Sequence, residues 1–488
     1  MVIESLKYKI LQQFGFAPTQ EQGQALDTFV SFLTDRDPQA VMILRGSAGT
    51  GKTSLSGAIV RTLLQIRQKV MLLAPTGRAA KVFSLGSGAP AYTIHRRIYR
   101  EKAFAGVDGQ FSLNDNLYTD TLFMVDEASM IANMGLGGTT FGSGCLLDDL
   151  VKFVYQGHND RLLLIGDKAQ LPPVGEEESP ALSASVMEGY GLKVYECDLN
   201  EVLRQSQSSG ILYNATLIRQ MITHDAVTGL PLIRFKGFAD IVMMPGAELV
   251  ESLGDSYHHV GMDETMVITR SNKRANIYNN GIRNMVLDRE EELSSGDMLM
   301  IVKNNYFWTE KEKKESEEGS AGAVPAFLAN GDRAKVLRVS NYIELYGFRF
   351  ATLQLQLPDY DDYEMQVTGM LDTLQSEAPA LTHEQQEELF RQVEEDYQHF
   401  VPLKADRMKS IRQDAYFNAL QIKYAYAVTC HKAQGGQWAH VYVDQGYMTD
   451  DMLTPDYIHW LYTAFTRATD KLFLVNWPKE QTCEPTDL

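Results

Sequence analysis

The chain has 488 residues, 44% hydrophobic and 22% charged, an ordinary balance for a globular protein with length for about three domains. Its four cysteines, Cys145, Cys197, Cys430 and Cys483, form no CxxC pair, which excludes a disulfide framework or a cysteine zinc site and fits a reducing compartment. The net charge is −18, but much of the excess lies between Asp359 and Asp396, where Arg391 stands alone among acids, so whole-chain charge says little about partners. The N-terminus MVIESLKYKI is too polar for a signal peptide and no apolar run is long enough to span a bilayer, so a cytoplasmic location away from membranes is expected.

Along the chain, residues 41–44 read as a buried strand running into Gly46-Ser47-Ala48-Gly49-Thr50-Gly51-Lys52-Thr53-Ser54, a GxxxxGK[ST] loop opening a helix. Glycines let the backbone curve so that its N–H groups face inward, and the helix N-terminus adds positive potential, which together make a triphosphate site. Lys52 is expected on the β- and γ-phosphates and Thr53 on Mg²⁺. Further strands are predicted at 70–74, 122–125 and 162–165, each ending in a polar motif, as in a parallel sheet with crossover helices. The second of these ends in Asp126-Glu127: Asp126 to orient Mg²⁺, Glu127 to polarise the attacking water. The third ends in GDKAQLPPV, whose Gln170 is placed to bond the γ-phosphate, with Pro172 and Pro173 stiffening the turn. Arg204 in LNEVLRQ and Arg467 in YTAFTRA are candidate stabilisers of phosphoryl transfer across a cleft.

A second strand set, 266–268, 439–443 and 471–475, resumes after a long interruption. Within it, 309–322 reads as an exposed charged loop, and 334–339 and 350–357 alternate like strands of a small β-domain. Residues 382–400 read as an acidic helix anchored by Leu389, Val393 and Phe400. Between 96 and 120, Asp108-Gly109 marks a hairpin flanked by Phe104 and Phe111, either a wedge at a base pair or a surface hairpin packed on its own domain. The glycine-rich segment 135–144 reads as a loop.

Taken in order, GSAGTGKT, APTGRAAK, VDEAS, GDKAQLPPV, LNEVLRQ, VTCHKAQGGQ and YTAFTRA resemble a superfamily 1 helicase of the RecD-like or phage Dda-like kind, with Pif-type relatives. The resemblance implies an α/β fold of two RecA-like P-loop domains with ATP between them. It divides the chain into a first domain at 1–215 carrying a pin hairpin, a second at 216–305 and 420–488, and an inserted SH3-like domain with a helical extension at 306–419. It implies a monomer that moves 5′ to 3′ along single-stranded DNA and opens junctions. Gln22 is matched to adenine, Gln434 and Gly435 to the nucleotide side, and Thr76, His95, Thr429 and His431 to the DNA path. Gln437 stands where the family often carries an acid near the ribose, which puts sugar selectivity in question. Two rival functions stay open: a translocase or protein-displacing remodeller without strong unwinding, and an ATP-switched subunit recruiting a replication or recombination protein through the acidic insert.

Overall fold

The computed structural model describes residues 2–104, 109–135, 142–202, 208–223, 229–315, 324–325 and 327–483. Six strands of one sheet lie in the order Ala91–Thr93, Lys69–Ala74, Thr121–Val125, Arg161–Gly166, Ala40–Gly46, Lys193–Leu199. All pair in parallel. Three of the central strands are buried at every position, because packed side chains cover both sheet faces. Leu26, Leu55 and Met124 belong to one core; Ile94, Phe123 and Leu150 belong to another. The register pairs Arg45 with Gly166 and Val125 with Leu164, so the loop after Gly46, Asp126 and Asp167 all leave the same sheet edge. That edge is where ligands bind in open parallel sheets.

The second sheet orders Ala427–Thr429, Thr265–Thr269, Trp438–Asp444, Ala468–Val475 and Ile241–Met244, again in parallel. Its core takes in Ile211, Ala215 and Ile218 from the helix Gly210–Thr223. This helix therefore packs with the second sheet, although the first domain was expected to run to residue 215.

Between the second-sheet strands, Met298–Ile301, Arg333–Leu345, Phe348–Leu357, Tyr363–Met370 and Leu420–Tyr424 close into a five-stranded barrel. Its strands begin at 298 and end at 424, wider than the expected 306–419. The helix His383–Gln398 starts with a Thr382/Gln385 capping box and buries Leu389 and Val393. It shares a small core with Phe350 of the barrel and Ile411 of the helix Lys404–Arg412. Phe400 is not an anchor: it lies beyond the helix end, in the turn before the next helix, and is 80% exposed. The expected loop from 309 begins instead as the helix Phe307–Glu315, with Thr309 fully buried. Its Glu and Lys residues are good helix formers, which outweighs their look of a solvated loop; residues 316–322 lie outside the described part. Among the described residues no helix is long and apolar enough to cross a membrane.

Val393→Ala should destabilise the two-helix extension by about 2 kcal/mol, while Phe400→Ser should leave it unchanged. Amide exchange within 383–398 of the intact chain measures both.

Candidate functional site

The strand Ala40–Gly46 delivers its chain directly into a tight loop. Gly49 and Gly51 adopt φ of 77° and 80°, the left-handed region that suits glycine, and the helix Lys52–Gln65 follows at once. A side chain at Gly46 would collide with Lys52, because its Cβ would stand 2.8 Å from the Lys52 Cγ. Lys52 Nζ folds onto the carbonyls of Gly46 and Ser47 at 2.5 and 2.9 Å. Gln22 is 1% exposed; its Nε2 donates to the Thr50 carbonyl at 2.9 Å and its Oε1 accepts from Thr19 N at 3.0 Å. Its amide braces the loop with one N–H and one oxygen lone pair, which leaves a second donor and a second acceptor on the same group. Thr53 and Ser54 are exposed at the helix start.

At the end of Thr121–Val125, Asp126 Oδ1 accepts from Glu127 N at 2.9 Å, and Glu127 takes φ of 53°. Burial and the neighbouring Glu127 carboxylate push Asp126 up, opposed in part by Lys52. The paired carboxylates beside Lys52 suit a hard cation, and the Asp126 carboxylate and Thr53 hydroxyl are oxygen donors of the type Mg²⁺ takes.

The second unit reaches this edge through the helix Pro455–Phe465. With the Gln170 amide oriented so that its oxygen faces Arg467, Nε2 donates to Glu127 Oε2 at 3.3 Å and Oε1 accepts from Arg467 Nη2 at 3.2 Å. Three expected residues are thus one chain of contacts. Arg467 is 2% exposed and also donates to the carbonyls of Thr463 and Gly436. Tyr462, which sequence reasoning passed over inside YTAFTRA, donates to Asp167 Oδ2 at 2.6 Å and accepts from Ala48 N of the phosphate loop at 3.0 Å. Leu171 N donates to Thr463 Oγ1 at 2.8 Å, which ties the GDKAQL turn to the same helix. Gln434 Nε2 donates to the Leu171 carbonyl at 2.7 Å, and Gly435 abuts Thr76 and Ala79. Gln434 thus holds the carbonyl of the residue that follows Gln170, beside the Glu127–Gln170–Arg467 chain. Arg204 lies outside the described residues.

Residues 17–229 match the AAA domain family and residues 424–475 the UvrD-like helicase C-terminal domain. The ATP-dependent RecD2 DNA helicase of Deinococcus radiodurans is 27% identical over 351 residues, 69% of this chain and 42% of that protein. The ATP-dependent DNA helicase dda of Enterobacteria phage T4 is 25% identical over 267 residues, 53% of this chain and 55% of that protein. These matches make the chain similar to superfamily 1 helicases of the RecD and Dda kind. It spans about half the length of these two helicases. It also aligns with 96% of an uncharacterised protein of Acanthamoeba polyphaga mimivirus, across 90% of this chain at 22% identity. Among solved structures, a Pif1 helicase from Bacteroides in complex with ADP-AlF3 and ssDNA is similar over 96% of this chain and 95% of that one, at 13% identity and a TM-score of 0.46.

A seam of cations lies between the first unit and the barrel. Thr76 caps the helix Gly77–Ser87 by accepting from Ala79 N, so its hydroxyl serves the helix start. Arg78 donates to the Gln437 carbonyl at 2.6 Å and lies over the Trp438 ring. Lys81 donates to the Pro358 carbonyl and stands 3.7 Å from Asp359 of the barrel. A cleft of about 250 Å³ opens here, lined by Lys81, Tyr92, Arg96, Phe327, Asp359 and Tyr360 among others. Burial pushes Lys423 down to about 8, and burial with Lys423 does the same to Lys432. Burial also pushes His95 down to about 4, so this half-buried ring is neutral at pH 7. Thr429 is half-buried and His431 exposed near Lys432.

The hairpin pairs Tyr99–Phe104 with Gly109–Leu113, while its turn at 105–108 and the Phe104 side chain lie outside the described residues. Phe111 is half-buried, with its ring 4.6 Å from that of Tyr306, which stacks on Phe327. Of the glycine-rich segment, 136–141 is likewise outside the described part.

At the seam, Asp332 accepts from Ala329 N and Tyr360 Oη, while its Oδ1 is buried with no hydrogen-bond partner among the described residues. Burial raises it from 3.8 to about 7. Because the folded value is the higher one, the folded state holds a proton that the unfolded chain has released. Stability from this group is therefore full below 3.8 and falls as pH rises towards 7. Asp332→Asn should flatten that fall, seen as a smaller drop in Tm across the same window.

Proposed function

We propose that this chain is an ATP- and Mg²⁺-dependent DNA helicase that tracks along single-stranded DNA from 5′ to 3′ as a monomer. The observation that carries this reading is the contact chain from Glu127 through Gln170 to Arg467, which joins the two parallel-sheet units beside one phosphate loop. The names of the relatives, both DNA helicases, support DNA as the strand.

In this reading ATP enters at the loop, and Lys52 exchanges its carbonyl partners for phosphate oxygens. Thr53 and Asp126 would hold Mg²⁺, which when bound neutralises phosphate charge. Glu127 orients the attacking water and draws off its proton. Arg467, joined by Arg204, neutralises charge on the transferring phosphoryl group, and Gln170 passes the change between them to the turn that Tyr462 and Thr463 grip. Loss of the phosphate removes the charge that repays burial of Arg467, so the cleft relaxes and the grip on the strand alternates. The cationic seam, with Thr76, His95, Thr429 and His431, lines the strand path. The barrel is read as the SH3-like insertion, and the hairpin as the pin.

Glu127→Gln should lower kcat for DNA-stimulated phosphate release by about 10²–10⁴-fold, and Lys52→Ala should abolish it. Phosphate release that single-stranded DNA does not stimulate would remove the motor reading. Strand displacement from 5′-tailed but not 3′-tailed duplexes is expected.

A second reading, a translocase without strong unwinding, is favoured by the packing of Phe111 on Tyr306 away from the hairpin turn. Shortening the turn at 105–108 distinguishes them. A pin loses unwinding and keeps ATPase, whereas a surface hairpin keeps both.

A further inference from the structure

The helix Gly210–Thr223 belongs to none of the sequence motifs, yet it lies across the phosphate loop. It is anchored to the second unit. Ser209 Oγ and Gly210 N donate to Asp240 at 2.5 and 2.7 Å, and Asn214 exchanges hydrogen bonds of 2.9 Å with the Arg234 backbone. Ile211, Ala215 and Ile218 sink into the second core. The helix is therefore carried by whatever moves that unit.

Leu212 and Arg219 lie seven residues apart, two turns along one face, and both touch the loop of the first unit. A Cβ at Gly49 would stand 3.3 Å from both Leu212 methyls. Arg219 Nη1 donates to Ser47 Oγ, and the same guanidinium reaches the Asn200 carbonyl at 3.4 Å. Ser47 is already busy: its carbonyl accepts from Lys52 Nζ at 2.9 Å and from Thr50 Oγ1 at 2.8 Å. One residue thus receives a cation from each side of the cleft.

We propose that this helix is a lid on the phosphate loop, carried by the second unit, and that Arg219 is a positioning residue that favours a triphosphate over a diphosphate. The inference rests on the nucleotide reading above. Two cations drawn to Ser47 repel, and the extra anionic charge of a third phosphate offsets that repulsion. Cleft opening takes Arg219 away with its helix, so the contact rewards only a ligand that keeps the cleft closed. The planar guanidinium serves Ser47 and Asn200 from two nitrogens held in a fixed fork, whereas a lysine brings a single nitrogen on a flexible stem.

The test uses the full chain and measures binding of ADP and of a non-hydrolysable ATP analogue by calorimetry, with a single-stranded oligonucleotide present. Arg219→Ala should weaken the analogue about tenfold and ADP by less than about twofold. Arg219→Lys should recover part of the loss. Ser47→Ala should weaken the analogue, and the double variant should be no worse than Arg219→Ala, because both remove one contact. An unchanged ratio of the two affinities in Arg219→Ala, or an equal loss for both ligands in Arg219→Ala and Arg219→Lys, overturns the proposal. A wild-type chain that binds neither nucleotide overturns the underlying nucleotide reading instead.

Discussion

A buried guanidinium sets the terms for the rest of this structure. Arg467 is nearly inaccessible, and its hydrogen bonds go to neutral oxygens on Thr463, Gly436, Thr466 and Gln170. The Glu127 carboxylate lies one amide further on. A charge held this way is costly unless an anion joins it or the surrounding dipoles are tightly organised. The second unit supplies that organisation by burying the GDKAQL turn in its own core: Ala169 and Leu171 pack with it, and Tyr462 and Thr463 bond the turn directly. The two sheets are therefore joined at the point where the phosphate loop, Asp126 and Asp167 emerge.

Two seams between the units differ in kind. At the nucleotide edge, Tyr462 satisfies both Ala48 and Asp167, and Gln434 satisfies Leu171, so polar groups are matched. At the barrel edge, Asp332 Oδ1, Asp359 Oδ2, Arg78 Nε and Arg333 Nε are buried with no hydrogen-bond partners among the described residues. Each such group costs free energy when dry and gains when an outside partner arrives. The first seam is built to hold a geometry. The second is built around unmet polar demand, with Lys81 and Arg96 lining a cleft beside it.

The net charge of −18 is reconciled with this cationic seam by segregation. Acids gather on the helix His383–Gln398 and its approaches, which pack on the barrel through a separate small core. Each apolar anchor there depends on its place along the helix. Leu389 and Val393 share the inward face, while Phe400 falls beyond the helix end and points to water.

The sequence by itself determined the nucleotide half of the site. The phosphate loop, Asp126, Glu127 and Gln170 each follow a buried strand, and parallel pairing brings strand ends to one edge whatever surrounds them. Strand–helix alternation likewise made both sheets legible, and the acidic helix after Thr382 was marked by its apolar spacing at Leu389 and Val393. Only the tertiary structure decided what crosses between units. Arg219 is one arginine in an amphipathic stretch with no local mark, and it meets Ser47 because its helix packs with the second sheet. The bracing role of Gln22, the turn of Gln434 toward Leu171 and the seating of Phe111 on Tyr306 were hidden for the same reason. Local patterns encode the direction of a strand or the start of a helix, whereas a contact between units depends on how two separately folded cores are set against each other.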